Sequence, residues 1–207
     1  MQIDYPRLMR LLTRCEELAT ATDTDPAVAR VHRERLAPEA GAFRSAYDAL
    51  PAAETTSATE RREAHAALDR IDQPFRKARA IAKAYVSELS TPDTLKTLRT
   101  DTDRLLAIEA LLDTLEERAE GGAEWAREEL AGAFGTLAPD VIRELGEVVA
   151  ADAQLSSARD ARARAYGPAY ERYLHFKNVV RQAYGARSPQ YRRIHIRQID
   201  RETEPTE

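Results

Sequence analysis

Four histidines, one cysteine, a row of tyrosines and a cluster of arginines are the side chains through which this chain could do chemistry. A di-metal carboxylate site in a helical bundle needs two Glu-x-x-His pairs and two further inward glutamates. None of His32, His65, His175 and His195 has a glutamate three positions before it. Glu171 and His175 stand four apart on one helix face, yet one such pair leaves an ion with too few ligands. The expectation is no metal and no cofactor, with the histidines at surface or rim positions. Cys15 falls among Leu8, Leu11, Leu12 and Leu18, where a thiol behaves as a small buried hydrophobe. As the single cysteine it forms no internal disulfide. Gly-x-Ser-x-Gly, a phosphate-cradling loop and a dinucleotide fingerprint are all missing, so no catalytic activity is expected.

Tyr166, Tyr170, Tyr173, Val180 and Tyr184 repeat at helical spacing, flanked by His175 and Phe176. Such a stripe forms an interface anchor, lines a ligand cleft, or fills a core with its hydroxyls at the rim. Beyond it, Arg187, Arg192, Arg193 and Arg197 interleave with Tyr191 and His195. That mixture suits phosphates, bases or an acidic protein surface. Tyr166, Tyr170, Tyr173, His175, Tyr184, Tyr191, Arg192 and Arg193 are therefore the candidate interaction or ligand-binding residues, with no catalytic or metal-binding residue among them.

The elements that must position them read as helices almost throughout, given abundant Ala, Leu, Glu and Arg and only 8 glycines. A first helix spans about 4–22, with Leu8, Leu11, Leu12, Cys15 and Leu18 on its apolar face. Asp25-Pro26 opens a second, which Pro38 and Gly41 should bend or split before Leu50. Residues 51–56 read as a loop, and Ser57-x-x-Glu60 as a capping box starting a third helix that reaches Leu89 with a kink at Pro74. Thr91-Pro92-Asp93 opens a fourth, with Leu105, Ile108, Leu112 and Leu115 as its stripe, and Gly121-Gly122 ends it. A short helix over about 123–134 precedes a long helical pattern to Tyr184, kinked at Pro168. Within that pattern 150–157 reads either as a turn or as the middle of one rod. Gly185 and Ser188-Pro189 stop the helix, and Tyr191 to Ile199 reads as an extended arm within a tail over 185–207.

The fold expected is an all-α antiparallel bundle of five to six helices over 1–184 with an extended C-terminal arm. Sliding the chain by 94 residues lays Arg10-Leu11-Leu12 on Arg104-Leu105-Leu106, Gly41 on Gly135 and Pro74 on Pro168. Internal duplication of a helical unit, with pseudo-repeats at about 1–90 and 91–184, accounts for the matches. Charge is uneven: 159–201 holds 11 Lys/Arg against 3 Asp/Glu, while the whole chain carries a net charge of −4. Arg7, Arg10 and Arg14 break up the first apolar runs, so no signal peptide or membrane span is read and a cytoplasmic protein is expected.

Tyr184-Gly185-x-x-Ser188-Pro189-x-Tyr191-x-x-Ile194 resembles the C-terminal motif of uncharacterised bacterial helical-bundle proteins of about this length. The resemblance implies a bundle with a conformationally defined tail and carries no activity with it. The reading is a structural or protein-interaction module that meets a protein partner or a second copy of itself, as a homodimer, through its C-terminal aromatic and basic face. Its alternative is a small-ligand-binding bundle with a cleft near the Pro74 and Pro168 kinks. Nucleic-acid binding ranks third, because the chain is acidic overall, with a pI near 5.7, and holds no recognised nucleic-acid module.

Overall fold

The computed structural model describes residues 3–195, and every regular element among them is helical. Helix α1 is Tyr5–Thr20, α2 is Pro26–Val31, a π-helical turn follows at His32–Leu36, and α3 is Ala37–Tyr85. A 3-10 turn at Leu95–Thr97 leads to α4 (Asp101–Glu120), α5 (Glu124–Ala131), α6 (Ala133–Tyr184) and α7 (Pro189–Arg193). Because α2, the π turn and α3 follow without a break, the all-α fold has six helical stretches among the described residues. No helix among the described residues is long and apolar enough to cross a membrane.

The chain divides into two compact units: one from residues 1–50 and 157–207, the other from 51–156. This division does not follow the expected repeat boundary at residues 90 and 91, since 1–90 and 91–184 would each contribute to both units. In the first unit Leu8, Leu11, Leu12 and Cys15 of α1 join Phe43, Tyr173, Phe176 and Val180 in one core. The second unit has its own core, with Ile71, Phe75, Ile108, Leu111 and Phe134 fully enclosed; Phe75 and Phe134 meet edge to face at 6.0 Å.

Several ends are set locally. The Asp4 carboxylate accepts from the Arg7 amide at 2.7 Å and caps α1. Asp25 accepts from the amides of Ala27 (2.8 Å) and Val28 (3.3 Å), with Pro26 at the first helical position. Gly122, at φ 90°, carries the chain out of α4, and Gly185, at φ 88°, out of α6.

Other expectations give way to tertiary structure. Pro38 does not split the helix: the Ala37 amide reaches back to the His32 carbonyl, and this widened turn makes room for a ring with no donor. The loop expected at 51–56 is helix interior, and α3 runs through both Pro51 and Pro74. Ser57 caps nothing, because its hydroxyl is 2.8 Å from Asp152 Oδ1 on α6. Thr91-Pro92-Asp93 opens no helix either. Arg79 of α3 holds that segment, bonding the Thr91 carbonyl at 2.9 Å and Asp93 at 2.6 Å. Helix α4 starts ten residues later, where Thr100 accepts from the Asp103 amide at 3.0 Å. Its buried stripe is Ala107, Ile108, Leu111 and Leu115, with Leu105 and Leu112 half-buried. Residues 150–157 are the middle of α6, and Pro168 does not interrupt it.

The extended arm is also corrected over 189–193. Ser188-Pro189 is a start rather than the expected stop: Ser188 accepts from the Tyr191 amide at 3.1 Å and Pro189 opens α7. Ile194 then plugs into the first unit's core with no exposed surface. Ile196 to Ile199, the rest of that arm, lie outside the described residues.

Candidate functional site

The tyrosine stripe is a set of internal ties. Tyr166 is 6 % exposed and donates its hydroxyl to the Ile3 carbonyl at 2.6 Å. Tyr173 has no exposed surface and donates to the Ile194 carbonyl at 2.9 Å. The Tyr184 hydroxyl accepts the Asp25 amide at 2.6 Å. Tyr166, Tyr173 and Tyr184 thereby hold the N-terminal segment, the end of α7 and the α1–α2 turn, respectively, against one face of α6. Tyr170 is half-buried between Tyr166 and Tyr173, at ring separations of 5.8 and 6.1 Å. Burial pushes the Tyr173 and Tyr166 hydroxyls up from their ordinary pKa values, so both stay protonated donors. The Pro74 and Pro168 positions belong to different units.

The surface of the first unit is made by other members of the expected set. Arg192 and Arg193 of α7 are exposed and face Met9, Arg10, Thr13, Arg14 and Glu17 of α1 across an open groove of about 730 Å³. Arg193 pairs with Glu17 at 2.8 Å, and an Arg14 guanidinium nitrogen is 3.4 Å from the Arg193 carbonyl. Arg10 and Arg192 have no ion-pair partner among the described residues. Tyr191 lies half-buried at the edge of α7, with the Lys177 ammonium 5.9 Å from its ring centre, and His175 is exposed on α6. The α1 half of this groove escaped the sequence reading, although Arg7, Arg10 and Arg14 share one helical face at 3-4 spacing.

The histidines do not converge. His32 is buried in the π turn, edge-on to Phe176 at 5.6 Å, and burial lowers its pKa against the opposing pull of Glu16. His65 pairs with Asp69 at 3.3 Å on the surface of α3. Cys15 is buried, and burial pushes its thiol far up, so the nucleophilic thiolate forms only on opening.

A carboxylate trio that sequence reading missed sits in the second unit. Oxygens of Glu60, Glu63 and Glu144 lie within 4.8 Å of one another. Arg143 supplies counter-charge, bonding Glu144 at 2.5 Å and Glu147 at 3.1 Å. Partial desolvation, then Glu147, Glu63 and Glu144, push the Glu60 carboxyl above its ordinary value. A carboxyl whose folded pKa is raised costs stability once ionised; the cost is full above that pKa and vanishes below the unfolded value. Glu60→Gln should therefore raise the melting temperature at neutral pH and leave it unchanged near pH 4, read by thermal denaturation at both values.

The fold and its described surfaces define an all-α protein with an arginine-lined groove between α1 and α7. No protein-family model, no curated protein and no solved structure matches the chain.

Proposed function

We propose that this protein is a non-catalytic interaction module of the cytoplasm, whose working face is the arginine groove between α1 and α7. The observation that carries the reading is the division of labour among the C-terminal residues. The tyrosines suited to a ligand cleft spend their hydroxyls on backbone groups of the same unit, while the guanidiniums remain at an open surface. Arginine's planar fork pairs with carboxylates and stacks on aromatic rings, which makes it a frequent anchor of protein interfaces. The acidic chain, with a pI near 5.7 and no recognised nucleic-acid module, favours a protein over a nucleic acid as the partner.

The test is fluorescence anisotropy with a labelled oligo-glutamate peptide, beside an oligonucleotide of equal charge. Reversal at Arg10→Glu and Arg192→Glu should weaken peptide binding at least about tenfold, since both guanidiniums face the bound carboxylates. Peptide binding unchanged by the reversal would overturn the reading. Tighter, steeply salt-dependent binding of the oligonucleotide would replace it with nucleic-acid recognition.

A further inference from the structure

The second unit carries the chemical counterpart of the groove, at the corner where α4 turns into α5. Asp113, Glu116, Glu117, Glu120, Glu124 and Glu128 are all exposed there, and none has an ion-pair partner among the described residues. Two features make the corner more than a solvated acidic face. The first is energetic. Asp113 and Glu117, and Glu116 and Glu120, in α4, and Glu124 and Glu128 in α5, repeat like charges at four-residue spacing. Within a helix such pairs repel, and glutamates in the last turn of α4 oppose its dipole, an effect that Arg118 in the same turn offsets only in part. Arg127 relieves only the Ala119 carbonyl, through two bonds of 3.2 Å. The corner thus holds an electrostatic cost that a cationic partner would remove.

The second feature is aromatic. Trp125 of α5 stacks on Tyr85 at 4.7 Å and 7°, and Tyr85 is 63 % exposed, the most of any large hydrophobic among the described residues. An exposed aromatic plane beside several carboxylates offers guanidinium groups both of their preferred partners. Charge is matched at the level of the units as well. Residues 1–50 and 157–207 carry 18 Lys/Arg against 14 Asp/Glu, net +4, while 51–156 carry 13 against 21, net −8.

We infer that the groove's partner is a second copy of this chain, whose α4–α5 corner, with the Tyr85–Trp125 stack, seats among Arg10, Arg14, Arg192 and Arg193. The contact is heterologous: two different patches meet, so copies join head to tail. The inference rests on the reading of the groove given above, and its test separates the two. The full chain should associate in a concentration-dependent way at low salt and dissociate at high salt, seen by light scattering. Trp125, the single tryptophan, should change its emission in step.

Arg10→Glu with Arg192→Glu should leave monomers, and so should Glu120→Lys with Glu124→Lys, each weakening association at least about tenfold. An equimolar mixture of these two reversed proteins should associate again, because each offers what the other lost. Circular dichroism checks that both remain folded. Association unaffected by either reversal, or not restored on mixing, overturns the inference. A chain monomeric at every salt that still binds oligo-glutamate through the groove also overturns it and leaves the groove's reading standing. Failure of both removes both.

Discussion

Tyr173→Ala costs the first unit about 3–5 kcal/mol, the range for deleting a large enclosed aromatic ring. The ring is fully buried against α1 and the end of α7, and its hydroxyl is the donor to the Ile194 carbonyl. Truncation removes both the packing and the tie, so Ile194 loses its place in the core and α7 its anchor. Tyr173→Phe separates the terms: keeping the ring but losing the donor costs about 1 kcal/mol, more if the carbonyl stays dry. Cys15 reads the effect where it occurs, since its enclosed thiol reacts only when this unit opens. Alkylation under native conditions should accelerate by about two to three and a half orders of magnitude in Tyr173→Ala, at about 1.4 kcal/mol per factor of ten, and by about fivefold in Tyr173→Phe. Acceleration below tenfold in the alanine variant would mean that the ring is not a structural tie.

The second large effect is at Gly135. A Cβ built there would stand 2.0 Å from the Leu130 carbonyl oxygen and 2.6 Å from its Cα. The obstacle is main chain, which cannot swing aside, so Gly135→Ala forces the α5–α6 junction apart at a cost of about 2–3 kcal/mol or more. Gly41, its counterpart under the 94-residue shift, meets nothing within 4 Å and lies in the exposed interior of α3. Gly41→Ala should stabilise by about 0.5–1 kcal/mol, the usual difference between the two residues in a helix. Denaturant unfolding followed by circular dichroism should move the two midpoints in opposite directions. Equal shifts would contradict the junction geometry. The contrast also shows that a matched glycine in the shifted alignment need not do matched work: one permits a close approach and the other is a tolerated helical residue.

What the sequence revealed and what it hid divide by the range of the interaction responsible. The α1 stripe, the Asp25-Pro26 start, the Gly121-Gly122 end and the stop at Gly185 depend on residues within one or two turns. These were legible. Pro51, Thr91-Pro92 and Ser188-Pro189 carry equally good local signals, yet distant partners decide what they become. Ser57 is claimed by Asp152, Arg79 captures the Thr91 carbonyl, and Tyr173 with the buried Ile194 secures the end of α7. The candidate site follows the same rule. Helical spacing announced the tyrosine stripe and composition announced Arg192 and Arg193. The acceptors at Ile3 and Ile194, 163 and 21 positions from their donors, could not be read from spacing, nor could the approach of Arg10 and Arg14 to α7.

The guanidiniums on α1 and α7 are the working surface that we propose. Arginine side-chain NMR of the full chain during titration with oligo-glutamate tests it most directly. The Nε–Hε signals of Arg10, Arg14, Arg192 and Arg193 should shift along one binding curve, while those of the exposed Arg62 and Arg76 in the second unit stay in place. Shifts spread evenly over all arginines, or absent from these four, would contradict it.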